Sequence, residues 1–129
     1  MKLLLDTHIW IWSELTPERI VRRVQSALEV RELWLSPLSI WEYFLLCRKG
    51  RVVVNPEPQT WLSQTMAAAP VKEAALTYDI VVEAERFQLS HRDPVDRFLV
   101  ATARVMDLTL VTADRKLITA KQCPVMANE

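Results

Sequence analysis

Residues 93–121, DPVDRFLVATARVMDLTLVTADRKLITAK, decide the fold. Asp93-Pro94 is a helix start: a side-chain acceptor at the cap, then a proline whose missing N–H costs nothing at the first helical position. That helix is expected to run to about Met106. Leu108-Thr109-Leu110-Val111 follows as a short, apolar, β-favouring run, read as a strand. Asp114 to Lys121 reads as a second, short helix.

The same alternation continues outward. Residues 2–6 are a buried strand, followed by helical patterns at about 8–14 and 17–31. Leu33-Trp34-Leu35 is a strand. Ser36-Pro37 repeats the cap-then-proline signal for a helix to about Lys49, with Gly50 as its stop. Val52-Val53-Val54 is read as extended, and Pro56 and Pro58 break the chain. A helix near 57–69, a weak strand at 70–74, a helix at 77–88 and a final strand at 124–126 complete the series. Short apolar strands alternating with helices imply a parallel α/β sheet of four to five strands, covered on both faces. With no repeat, low-complexity tract or linker, residues 1–129 are expected to form a single domain.

In such sheets ligands bind beyond the carboxyl ends of the strands. Asp6 and Asp114 stand at two of those ends, Asp96 in the first turn of a helix, and Glu42 inside another. Each has an ordinary structural reading. Asp6, Asp93 and Asp114 can cap helices, and an acid at Asp96 suits the helix dipole. Glu42 fits least well. Its helical neighbours are Leu38, Ser39, Leu45 and Leu46, so its charge needs a partner, either a buried arginine or a metal ion. Carboxylates gathered at one edge need shared protons or a cation. An all-oxygen site suits Mg²⁺ or Mn²⁺.

Other polar residues carry weaker signals. Thr7, Ser39 and Thr112 lie near the acids, where turn and cap roles compete with binding water or substrate. His8 and His91 are candidates for a general base or for plain packing. Trp10 and Trp12, two apart on one helix, cannot both face the core, so one is expected to be exposed and to suit a partner. Arg19, Arg22 and Arg23 read as a solvated basic face. Arg97 and Arg115, each next to an acid, are candidate phosphate contacts.

Composition excludes several classes. The one glycine rules out a glycine-rich phosphate cradle. Sixteen basic residues balance sixteen acidic ones, so if a metal offsets four acids the remaining surface is net basic and tolerates a polyanion. Cys47 and Cys123 form no zinc spacing, and no apolar run is long enough for a membrane span. No signal peptide is visible, and the cytoplasm is the expected location.

Four segments in order, LLLDTHIWIW, LSPLSIWEYFLLCRKGRV, HRDPVDRFLVATA and LTLVTADRKL, resemble the PIN-domain ribonucleases of the VapC toxin type. The resemblance covers essentially the whole chain and is loosest over residues 52–76. It implies a PIN-like, flavodoxin-like three-layer fold and a Mg²⁺- or Mn²⁺-dependent endoribonuclease. It also implies an RNA substrate, a cognate antitoxin protein and a homodimer. Asp6, Glu42, Asp96 and Asp114 match the family's acids, Asp93 an extra acid of one subgroup, and Thr112 a polar position beside the site. The alternative is a catalytically inactive PIN-like domain that binds RNA or acts as a scaffold. A phospho-acceptor receiver and an aspartyl-phosphate phosphatase fit worse. His8 stands where the phosphatase wants a second aspartate, and no lysine ends the late strand as a receiver wants.

Overall fold

The computed structural model describes residues 1–89 and 93–129. Its centre is a five-stranded, all-parallel sheet in the order β3-β2-β1-β4-β5. The strands are β1 (Lys2–Leu5), β2 (Glu32–Leu35), β3 (Lys72–Glu73), β4 (Thr109–Thr112) and β5 (Val125–Ala127). Among the described residues seven α-helices connect and cover them: α1 (Thr7–Leu15), α2 (Arg22–Val30), α3 (Pro37–Arg48), α4 (Pro58–Ala68), α5 (Tyr78–Ala84), α6 (Pro94–Met106) and α7 (Arg115–Ala120).

Two apolar layers explain the unbroken Leu3-Leu4-Leu5 run. Leu4 and Leu110 pack on one face with Ile80, Ala84, Val95, Leu99 and Leu117, from α5, α6 and α7. Leu3, Leu5 and Val111 pack on the other with Ile9, Trp10, Val24 and Tyr43, from α1, α2 and α3. Period-2 alternation therefore runs between two buried faces, and all three of these leucine positions must be apolar. Burial of each such leucine contributes about 2 kcal/mol.

The expected helix over 17–31 is divided. A 3₁₀ turn occupies Pro17–Arg19, and Ile20 and Val21 are extended before α2 starts. Ile20 is buried, and the Val21 N–H donates to Asn128 Oδ1 at 2.8 Å. Tertiary contact with the chain's end thus takes the amide a continuous helix would have used. Val52–Val54 joins no strand. Trp10 is buried against Tyr43 and Trp61, and Trp12 is half-buried with the Arg19 guanidinium 4.1 Å from its ring. The most exposed tryptophan is Trp41, at 52 %. The expectation of a solvent-exposed Trp10 or Trp12 is corrected accordingly: the 3₁₀ turn folds back over Trp12.

Candidate active site

The strand order reverses at β1, with β2 on one side and β4 on the other. This is the switch point where parallel sheets open a crevice at their carboxyl edge. Three of the helices that start at this edge are capped by an acid. Asp6 caps α1, its Oδ1 accepting the Thr7 N–H at 2.8 Å. Asp114 caps α7 through the Lys116 N–H at 2.9 Å, and Asp93 caps α6 through the Val95 N–H at 2.9 Å. Capping and cleft-lining coexist in these three residues, each of which caps a helix and lines the same cleft.

A cleft of about 250 Å³ results, lined by Asp6, His8, Trp12, Glu42, Asp93, Asp96, Ala113 and Asp114. All four expected acids line it, with Asp93 as a fifth. Asp6 and Asp96 form the floor, at 8 % and 7 % exposure. Glu42 and Asp114 are half-buried, and Asp93 is exposed. Among the described residues no cation pairs with Glu42, so the buried-arginine reading of that residue is not met.

The floor is electrostatically uncomfortable. Burial, and then the carboxylates of Asp6, Asp93, Asp114 and Glu42, push the Asp96 carboxyl up to about 8. Burial also raises Asp6, opposed by the Thr112 hydrogen bond and by His8. Thr112 Oγ1 donates to Asp6 Oδ2 at 2.6 Å and accepts the Asp114 N–H at 3.0 Å. One hydroxyl therefore ties the two strand-end acids together.

Three expected substrate contacts are corrected. Thr7 is fully buried, its hydroxyl donating to Ser39 Oγ at 2.9 Å, and joins α1 to α3. Thr112 is also fully buried and positions the acids. Arg97 gives its guanidinium to the carbonyls of Ala84 and Phe87, clamping the end of α5 onto α6. Arg115 is exposed and pairs with Glu129 at 3.0 Å, a surface contact weak enough for a phosphate to displace. His8 lines the cleft, while His91 lies outside the described residues. Trp12 also borders the cleft, a placement that periodicity, which separates only core from surface, does not reveal.

The fold and crevice define a class: a parallel α/β domain with carboxylates gathered at its switch point. The PIN domain family model matches residues 3–121, and the chain belongs to that family. It is 31% identical over 117 residues to Ribonuclease VapC22 of Mycobacterium tuberculosis (strain ATCC 25618 / H37Rv), covering 89% of this chain and 88% of that protein. Its fold is similar to VapBC2 from Rickettsia felis bound to a DNA fragment from their promoter (TM-score 0.74, 12% identity, 100% of both chains). It is also similar to DNA-bound VapBC from Salmonella typhimurium (TM-score 0.72, 18% identity, 98% of both chains).

Proposed function

We propose that this protein is a Mg²⁺- or Mn²⁺-dependent endoribonuclease acting as the toxin of a toxin–antitoxin pair. The observation that carries the reading is the convergence of Asp6, Glu42, Asp93, Asp96 and Asp114 on one cleft, crowded enough to hold a proton on Asp96. Similarity to a protein named as a ribonuclease supports RNA as the substrate.

The donor set fits a hard divalent cation. Five carboxylates line the cleft beside the one imidazole of His8, and a cation would relieve the repulsion that raises Asp96. Among the described residues no three acidic, histidine or cysteine side chains close around one point tightly enough to cage an ion. Those side chains would therefore draw together around an ion, with waters completing its shell. Asp6, Glu42 and Asp96 would hold the ion, with Asp114 as a further or water-mediated ligand and Asp93 at the margin. Bound there, the cation would acidify a water and offset charge building on the phosphate. Thr112 keeps Asp6 and Asp114 in register. Glu42 or Asp114, on the more open side of the cleft, accepts the proton from the attacking water.

The antitoxin covers this cleft, and a basic side chain of that partner stands in for the cation. Among the structural neighbours is a toxin–antitoxin complex from Klebsiella pneumoniae, which supports such a partner. The exposed apolar side chains of Trp41, Tyr78 and Val82 suit the homodimer. Among the described residues no helix is long and apolar enough to cross a membrane, and we place the toxin in the cytoplasm.

The test is cleavage of single-stranded RNA by purified protein with Mg²⁺, against Asp96→Asn. Wild type cuts and the variant does not. In cells, wild type expressed alone arrests growth, and co-expression of the adjoining small reading frame restores it. Full-rate cleavage by Asp96→Asn would assign the activity elsewhere.

A further inference from the structure

A second concavity opens beside the acidic cleft and shares its wall. This groove of about 820 Å³ runs between α1 and the end of α3, and His8, Trp12 and Glu42 line both spaces. Its floor is apolar: Ile11, Leu15, Leu45, Leu46 and Val52. Three cations stand around it, Arg19 on one wall and Lys49 and Arg51 on the other, and Glu42, at the cleft end, is the one acid lining it.

The chain places those cations deliberately. Arg19 leaves the 3₁₀ turn and lies over Trp12, 4.1 Å from the ring centroid. Gly50 ends α3 at φ +71, the left-handed region that glycine adopts without strain. Its N–H donates to Cys47 O at 3.0 Å, and the Arg51 N–H donates to Leu46 O at 2.9 Å. This tight reversal sets Lys49 and Arg51 on the same rim. None of the three cations forms an ion pair among the described residues.

We propose that this groove holds the single-stranded RNA flank next to the scissile phosphate. Arg19, Lys49 and Arg51 contact its phosphates, and its unstacked bases lie on the apolar floor and the Trp12 edge. The inference rests on the RNA-cleaving reading of the cleft and adds where the rest of the strand lies. A volume at the upper end of small-ligand pockets accommodates more than one nucleotide-sized group. Cations beside an aromatic and apolar floor are what single-strand binding requires, because bases present faces only when unpaired. A duplex would bring phosphates but no exposed faces. Charge complementarity is directional: the basic groove takes the backbone, and the acidic end is left for a phosphate bridged by a cation.

The probe is a short fluorescein-labelled single-stranded RNA of mixed sequence, followed by anisotropy across a salt series. The protein carries Asp96→Asn so that the RNA stays intact. Adding Arg19→Gln, Lys49→Gln and Arg51→Gln should weaken binding at least tenfold at moderate salt. The slope of log K against log salt should fall by about 2, at about 0.7 per phosphate contact. Each single change should lower it by about 0.7. A control set, Lys2→Gln, Arg31→Gln and Lys121→Gln, removes the same charge at the opposite, amino edge of the sheet and should leave the slope unchanged. A duplex of the same sequence should bind more weakly than the single strand.

An unchanged slope in the groove variant overturns the proposal, as does equal loss in the control set or equal binding of duplex. Loss of antitoxin binding with an unchanged RNA slope gives the groove to a protein helix instead, and equally overturns it. These outcomes are separate from the cleavage reading. That reading fails if protein carrying the native Asp96 leaves the same RNA uncut with Mg²⁺, whatever the binding slope shows.

Discussion

The floor and the rim of the acidic cleft hold the same functional group in opposite conditions. Asp6 and Asp96 on the floor are less than a tenth exposed, and burial raises both. Asp93 and Asp114 at the rim each satisfy a helix N-terminus. Rim carboxylates would be present in many proteins with no site at all, because capping alone explains them. On the floor Asp6 also caps a helix and accepts the Thr112 hydroxyl, but capping does not explain why it and Asp96 are buried among like charges, because desolvating a carboxylate works against folding. What separates chemistry from architecture here is therefore depth of burial among like charges, and not the identity of the residue.

That division predicts graded consequences. The largest effect is expected on the floor: Asp96→Asn should reduce cleavage by more than about a hundredfold, beyond what loss of a supporting hydrogen bond does. Single-turnover cleavage measures it, and a change under tenfold would move Asp96 out of the cation's coordination.

Thr112→Val comes next. It leaves Asp6 without the donor now 2.6 Å away and the Asp114 amide without its acceptor. Cleavage should fall about 10- to 100-fold, with about 1–3 kcal/mol of stability lost. Thr112→Ser, which keeps the hydroxyl, should restore most of both. Failure of serine to rescue would mean that the methyl group matters and not the hydrogen bond.

The third prediction concerns pH in metal-free protein. The Asp96 carboxyl titrates near 8 in the folded chain against an ordinary value of 3.8. Between those values the folded state keeps a proton that the unfolded state has released. Stability therefore falls as pH rises from about 4 to about 8. Melting temperature in EDTA should be lower at pH 8 than at pH 5.5, and Asp96→Asn should be flatter and more stable at pH 8. Saturating Mg²⁺ should offset the loss at high pH. Parallel curves for wild type and Asp96→Asn would show that the cleft is less crowded than its geometry implies.

The smallest effect belongs to the rim. Asp93→Asn keeps a good cap and removes a charge, so cleavage should change by less than about tenfold and stability barely. Asp93→Ala should cost about 1 kcal/mol by removing the cap. Cleavage abolished in Asp93→Asn would promote Asp93 from cap to ligand.

Much of this arrangement was legible in residue order. The five strands follow from short apolar runs, and the gathering of the acids from Asp6 and Asp114 at two strand ends with Asp96 and Glu42 on helices that start at the same edge. Other features were not legible because they depend on distant partners. Asn128, far along the chain, interrupts the helix expected over 17–31 by taking the Val21 amide. Arg97 sits beside Asp96 in sequence, yet its guanidinium reaches the carbonyls of Ala84 and Phe87. Adjacent residues on a helix point in different directions, so sequence proximity to an acid says little about proximity to its ligand. Trp12 was expected to be an exposed surface residue or a buried core one, and it is a wall between two concavities. The signal for the groove was present in Arg48-Lys49-Gly50-Arg51, where a lone glycine reverses a basic run.

The most direct measurement is a crystal soaked in Mn²⁺ and read by anomalous scattering, paired with RNA cleavage in Mn²⁺ and in EDTA. A peak between Asp6 and Asp96, within water-mediated reach of Glu42 or Asp114, and cleavage abolished by EDTA are the predicted results. Cleavage at full rate in EDTA, or a Mn²⁺ peak only outside the cleft, would contradict the assignment of these carboxylates to a metal-dependent nuclease site.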